Sequence, residues 1–195
     1  MLRIGLTGGI GSGKSVISKI FRALNIPVYD ADQAAKKLMS EDVVLKEKIK
    51  NAFGEESYTG EELNKSYLAA EVFNDSAKLS MLNSLVHPAT IKDAEDWMSA
   101  QESPYILKEA ALIFESGSQK NLDLVIGVQA PIAMRIHRSM LRDSITAAQV
   151  KIRMDKQLDD VLKMSLCDYV IINDEKHLII PQVLALHEKF KNGEK

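Results

Sequence analysis

One cysteine, six arginines and 6% aromatic residues among 195 positions make this a chain defined first by scarcity. Cys167 alone permits neither an internal disulfide framework nor a CxxC-type metal site, and it suits a reducing compartment. Positive charge does not predominate either: 25 Lys+Arg stand against 27 Asp+Glu, a formal net charge of -2. General nucleic-acid binding lacks its electrostatic footprint, so any anion site has to be local. No apolar run approaches the ~20 residues that span a bilayer. Met1-Leu2-Arg3-Ile4-Gly5 shows no charged segment followed by the long apolar run of a secretory signal. What the chain does have is 46% hydrophobic residues, enough for a sizeable core. Its length suits one domain. We expect a soluble, cytoplasmic protein without nucleic-acid or membrane partners, monomeric or weakly homo-oligomeric.

Two residue types cluster. Five of the ten glycines (Gly5, Gly8, Gly9, Gly11, Gly13) fall within nine residues, and four arginines (Arg135, Arg138, Arg142, Arg153) within nineteen. Hydrophobic period and punctuation predict a strand over 2–7, a glycine loop, and a helix over 14–24. A second strand spans 26–29 and ends at Asp30-Ala31-Asp32; residues 33–100 read as helical and polar, interrupted at Phe53-Gly54 and Thr59-Gly60. Later strands fall at 105–108, 124–128 and 169–172, with helices over 131–142, 146–166 and 177–191. Continuous apolar strands require a parallel sheet covered on both faces. The expected fold class is α/β, a five-stranded parallel sheet with helices on both faces. We divide a single domain, 1–195, into a core (1–31, 103–130, 156–195), a helical insertion (32–102) and a small lid (131–155).

Gly8-Gly9-Ile10-Gly11-Ser12-Gly13-Lys14-Ser15 matches the phosphate-loop pattern G-x-x-x-x-G-K-[ST] between a strand and a helix. Glycines permit close backbone approach, so successive N–H groups can face phosphate oxygens, and the helix start adds its positive dipole end. Lys14 reaches the β- and γ-phosphates of a nucleoside triphosphate, and the Ser15 hydroxyl ligates Mg²⁺. A chance match in this composition has a probability on the order of 0.005. The fold is therefore of the P-loop nucleoside triphosphate hydrolase type. A GTPase N-K-x-D motif is missing, the one Asn-Lys being Asn64-Lys65-Ser66-Tyr67, and so is the L-S-G-G-Q signature of ABC ATPases. A small kinase remains.

Asp30 and Asp32 lie two apart at the end of strand two, on one side of an extended chain. Ligands of open α/β sheets bind at that edge, where a carboxylate can take the proton of an attacking alcohol. Equally, Asp32 can simply cap the next helix. Arg135, Arg138 and Arg142, spaced by three and four, share one helical face. On a hinged helix they can grip phosphate oxygens bidentately and exclude water; the alternative is a solvated charged face. We read Arg138 and Arg142 as catalytic, with Arg135 and Arg153 beside them. Glu109, ending strand three, is a candidate for holding Mg²⁺ through water, and Glu115 for a cap or ion pair. His137, His177 and His187 lack ligand spacing, so no zinc is expected. The methionines and Trp97 read as packing, and Cys167 as buried and inert.

Beyond the loop, which with Leu6-Thr7 forms a more specific start, further elements recur: Asp30-Ala31-Asp32, Phe53-Gly54, Val72-Phe73, His87-Pro88, Leu112-Ile113-Phe114-Glu115, Arg138 with Arg142, and Gln157. Together these resemble the dephospho-coenzyme A kinase family over nearly the whole chain. The resemblance implies ATP-dependent phosphorylation of the ribose 3′-hydroxyl of dephospho-coenzyme A, giving coenzyme A and ADP. It implies Asp32 as general base, a nucleotide grip by Gly8, Gly9, Ile10, Gly11, Ser12, Gly13, Lys14, Ser15 and Val16, an acceptor-binding role for the insertion, and His87, a helix-end residue, facing the acceptor. There are departures from the family pattern: Ala111 for Pro, Lys65 for Arg, Val16 for Thr, Arg135 where Gln is frequent, and Asn173-Asp174 as a loose match to Asn-x-Gly. Two rivals stay open. Another small kinase would differ in the acceptor that an assay panel selects, and a nucleotide-sensing module would need neither Asp32 nor clustered arginines.

Overall fold

The computed structural model describes residues 1–73 and 75–194, with Phe73 described through its backbone alone. Residue 195, the end of the expected domain, and the Phe73 side chain of the Val72-Phe73 element lie outside the described residues. In chain order the elements are β1 (Leu2–Thr7), α1 (Lys14–Ala23), β2 (Val28–Asp30), α2 (Ala31–Glu41), α3 (Val43–Phe53), β3 (Tyr58–Thr59), β4 (Glu62–Leu63), α4 (Lys65–Phe73), α5 (Ser76–Ser99), β5 (Tyr105–Glu109), β6 (Leu124–Gln129), α6 (Ile132–Asp143), α7 (Ala147–Met154), α8 (Asp160–Ser165), β7 (Tyr169–Ile172) and α9 (Ile179–Lys191). Two compact units result, Met1–Asp30 with Met98–Lys195, and Ala31–Trp97.

In the first unit five parallel strands run in the order β2-β5-β1-β6-β7. β1 sits centrally; the connection from it leads to β2 on one side, whereas that from its neighbour β5 leads to β6 on the other, which opens a crevice at the carboxyl ends of β1 and β5. Its Ile4 and Leu6 are fully buried, as are Ile17 and Phe21, four apart on α1, and Val183 and Phe190, seven apart on α9. The Tyr105 ring meets Phe21 and Phe190 edge-on, at 6.2 and 5.5 Å between centroids, and its hydroxyl bonds His187 Nδ1 at 2.7 Å. The sheet–helix core is thereby fixed beneath the loop that follows β1.

In the second unit Leu45, Ile49, Phe53, Tyr58, Leu68 and Val86 form a separate core. Tyr58 donates to the Met39 carbonyl at 2.7 Å, and burial pushes its phenol up to about 12.

Several details differ from the sequence reading. The interruption at Thr59-Gly60 is the turn of a two-stranded hairpin, β3 with β4. The helix expected over 146–166 is two helices, because a Thr146–Gln149 capping box starts α7 and Asp159 caps α8 through Val161 N–H and Leu162 N–H. His87 is not at a helix end. It lies inside α5, whose buried stripe of Val86, Thr90 and Ala94 carries the helix through Pro88. There the Thr90 hydroxyl bonds the Val86 carbonyl at 2.9 Å.

Candidate active site

The loop between β1 and α1 is a chain of main-chain groups held in place by side chains. Gly11 and Gly13 adopt φ of 76° and 96°, the left-handed region that favours glycine. Ser12 N–H donates to the Gly9 carbonyl at 3.1 Å. Three carbonyls are bound by side chains: Gly8 by Lys14 Nζ at 2.9 Å, Ile10 by Arg135 Nε at 3.0 Å, and Ser12 by Asn173 Nδ2 at 2.8 Å. A trans peptide points its C=O and the next N–H in opposite directions. Holding the carbonyls of Ile10 and Ser12 therefore turns the Gly11 N–H away from Arg135 and the Gly13 N–H away from Asn173. Gly13 is the cap residue of α1, so the positive end of the helix dipole faces the loop. Such a concavity of amides with an adjacent ammonium binds phosphate oxygens. The Ser12 hydroxyl, 1% exposed, is buried without a hydrogen-bond partner beside it.

Carboxylates gather at the same ends of neighbouring strands. Asp30 pairs in register with Glu109, which also pairs with Leu6. Glu109 is 7% exposed and accepts a 2.5 Å hydrogen bond from Ser18 Oγ. Burial pushes its carboxyl above the usual range, although the Ser18 bond and the charges of Lys14 and Arg22 oppose that shift. Asp32, two residues past the end of β2, occupies the first turn of α2 and not its cap position, because Ala31 already begins the helix. His87 belongs to the Ala31–Trp97 unit, and burial lowers its imidazole below the ordinary value.

The structure separates the three arginines that sequence grouped. Arg135 is 2% exposed, pairs with Asp160 at 2.8 Å, and lies on the carbonyl side of the loop. Arg138 pairs with Glu175 at 3.0 Å and lies beside Asn173, and a Cβ at Gly13 would come within 4.0 Å of its Nη1. Arg142 has a side chain 61% exposed and pairs with Asp143, which Arg153 also engages at 2.8 Å. Arg142 and Arg153 are thus not brought to the loop here, whereas Arg138 is. Sequence reasoning missed three contributors. Asn173 had a usable signal, its place just after a strand's carboxyl end. Gln157, whose Oε1 accepts the Ile10 N–H at 2.9 Å, was named without a role. Lys163 gave no signal; fully buried, it pairs with Glu115 at 2.8 Å and bonds the Ala111 carbonyl at 3.1 Å.

Residues 2–178 match the family model described as dephospho-CoA kinase. A dephospho-CoA kinase of Bacteroides fragilis (strain YCH46) is 37% identical over 186 residues, 95% of this chain and 91% of that one. The Porphyromonas gingivalis (strain W83) enzyme of the same name is 38% identical over 189 residues, covering 96% and 94%. Among solved structures, TT1252 from Thermus thermophilus superposes with a TM-score of 0.85 at 29% identity, covering 96% of each chain. Dephospho-CoA kinase from Campylobacter jejuni gives 0.71 at 25%, covering 98% of each. A shikimate kinase from Acinetobacter baumannii, at 12% identity and 0.59, shares the fold alone.

Proposed function

The chain belongs to the dephospho-CoA kinase family, and from that premise we propose how its own residues carry out the transfer. The family uses ATP to phosphorylate dephospho-CoA in the last step of coenzyme A synthesis. In our assignment residues 8–16 hold the triphosphate, with the N–H groups of Gly11 and Gly13 and the Lys14 ammonium facing its oxygens. Asp32 accepts the proton of the ribose 3′-hydroxyl as that oxygen bonds the γ-phosphorus. The bridging P–O bond breaks and ADP carries away the electron pair. Arg138 and Arg142, on a lid of residues 131–155, stabilise charge on the moving phosphoryl, and residues 32–102 bind the acceptor. Catalysis of this kind is positioning and electrostatics.

Mg²⁺ fits the donors present. Ser15 is an exposed residue in the first turn of α1, and Asp30 and Glu109 end adjacent strands, all hard oxygen ligands. We assign Ser15 as its protein ligand; when bound, the ion neutralises charge on the phosphate oxygens. Among the described residues no helix is long and apolar enough to cross a membrane. The same proposal makes the enzyme cytoplasmic and monomeric or weakly homo-oligomeric.

The single observation behind this assignment is a glycine loop between β1 and α1 whose Ile10 and Ser12 carbonyls are bound by Arg135 and Asn173, next to the Lys14 ammonium. Its test is a panel of acceptors, including dephospho-CoA, shikimate and nucleoside monophosphates, with ADP formation measured for wild type and Lys14→Ala. Dephospho-CoA should be selected and Lys14→Ala should abolish turnover. ADP formation with no acceptor preference, or full activity without Lys14, defeats the proposal.

A further inference from the structure

Arg135 sits on the wrong side of the phosphate loop to act as a cation on the transferring phosphoryl. Its Nε donates to the Ile10 carbonyl at 3.0 Å, so it faces the loop from the side opposite the Gly11 N–H. α6 lies so close that a Cβ at Gly9 would fall inside the Arg135 guanidinium, and one at Gly11 inside the Arg135 main-chain carbonyl. The guanidinium is 2% exposed, and a charge so buried needs a counter-charge. Asp160, from the start of α8, supplies it at 2.8 Å. From the segment between α7 and α8, Gln157 Oε1 accepts the Ile10 N–H at 2.9 Å. Both polar groups of the loop's crest residue are therefore held, by side chains 125 and 147 positions downstream.

We propose that Arg135, braced by Asp160 and working with Gln157, is a positioning residue that sets the crest of the phosphate loop in its anion-binding shape before nucleotide arrives. The proposal rests on the assignment of residues 8–16 to the triphosphate. Two consecutive peptide planes are fixed by the two bonds. The plane joining Ile10 to Gly11 carries the carbonyl that Arg135 holds, and turns the Gly11 N–H toward the concave side. The plane joining Gly9 to Ile10 carries the N–H that Gln157 holds, and turns the Gly9 carbonyl toward Ser12 N–H, which it accepts at 3.1 Å. Without them a glycine-rich segment samples many conformations, and phosphate binding has to supply the ordering. Arg135 touches neither phosphate nor acceptor in this arrangement, so it acts on affinity for the polyphosphate and not on the chemical step.

The experiment compares Arg135→Gln, Gln157→Ala and the double variant in the full chain, with Lys14→Ala in parallel. It measures dissociation constants for ATP and inorganic tripolyphosphate, KM for dephospho-CoA, kcat at saturation, and thermal stability. Arg135→Gln and Gln157→Ala should each weaken ATP and tripolyphosphate about 10-fold. KM for dephospho-CoA and saturating kcat should stay within about 2-fold, since neither side chain touches the acceptor or the transferring phosphoryl in the proposed arrangement. The double variant should lose less than the product of the single losses, because both bonds order one crest. Should Arg135→Gln not fold, Gln157→Ala, a partly exposed site, carries the same split. A drop in kcat with unchanged ATP affinity overturns the proposal, and so does a rise in both Michaelis constants together with lost stability. If Lys14→Ala loses ATP while both variants bind it normally, the positioning role alone fails; if Lys14→Ala also binds ATP normally, the loop assignment fails with it.

Discussion

Glu115→Gln removes one charge from a buried ion pair while keeping the side chain's shape, and its cost follows from what is left behind. Lys163 is fully buried, and its ammonium has two partners, Glu115 Oε1 at 2.8 Å and the Ala111 carbonyl at 3.1 Å. With glutamine at 115 the ammonium retains only neutral oxygens, and an uncompensated buried charge costs about 3–5 kcal/mol. For a chain of this length each kcal/mol lowers Tm by about 2–4 °C, so a fall of at least about 6 °C is expected at pH 7 in melts followed by circular dichroism. Lys163→Met should cost less, about 1–2 kcal/mol, because Glu115 is 20% exposed and keeps the Leu158 N–H at 2.8 Å. Acid supplies an independent check. Burial raises the Glu115 carboxyl, but the Lys163 hydrogen bond and the main-chain N–H of Leu158 outweigh it and hold the group below its ordinary value of 4.5. A carboxyl depressed in the folded state contributes stability in full above 4.5, and loses it as pH falls through the lower folded value. The Tm gap between wild type and Glu115→Gln should therefore narrow from pH 7 toward pH 3. A gap under 2 °C at pH 7, or one that widens in acid, refutes the account of Lys163 as a charge that depends on Glu115.

Three other outcomes are expected. Asp32→Asn should lower kcat by ~10²–10⁴-fold with ATP affinity nearly intact, because the amide cannot take the hydroxyl proton; an unchanged kcat removes Asp32 as the base. Arg142→Ala should cut kcat at least ~10-fold while melting almost as wild type does, since exposed ion pairs contribute ~0–1 kcal/mol; unchanged turnover ends its lid role. Cys167 is half-buried, not fully buried as expected, and desolvation pushes its thiol up to about 11; it should react with iodoacetamide at pH 8 about 100-fold more slowly than a free thiol, and a rate like that of glutathione refutes that upward shift.

How far the fold could be read from the chain depended on how local each signal was. The five main strands appear as continuous apolar runs, and four of them lie within one residue of their predicted limits at either end. β2 shifts to Val28–Asp30 because its last residue is an acid paired in register with another acid, Glu109, which an apolar pattern passes over. β3 and β4 are two residues each, too short to show any period. The break between α7 and α8 did leave a trace, Asp159 ahead of an apolar run, but it was masked by the helical residues on both sides.

The site divides along the same line. Residues 8–15 form one contiguous motif, so spacing alone picks out the loop proposed for the triphosphate. What shapes that cradle comes from Arg135, Gln157 and Asn173, which are 125, 147 and 161 positions away from the groups they bind. Helical periodicity placed Arg135, Arg138 and Arg142 correctly on one face of α6, but a face seven residues long runs about 10 Å, two turns of helix. Its surroundings change along that length, from the packed underside of the loop at Arg135, to the loop after β7 at Arg138, to solvent at Arg142. Spacing fixes direction around a helix axis and says nothing of what lies opposite at each height. Three like residues on one stripe thus have three different surroundings: Arg135 is anchored to the backbone of Ile10, Arg138 is held beside Gly13 by Asn173 and Glu175, and Arg142 keeps a partner in Asp143. An exposed ion pair is cheap to break. A cation that has to reach an arriving phosphoryl is better held by such a pair than by the buried one that fixes Arg135, which is the physical reason to assign the lid role to Arg138 and Arg142 and withhold it from Arg135.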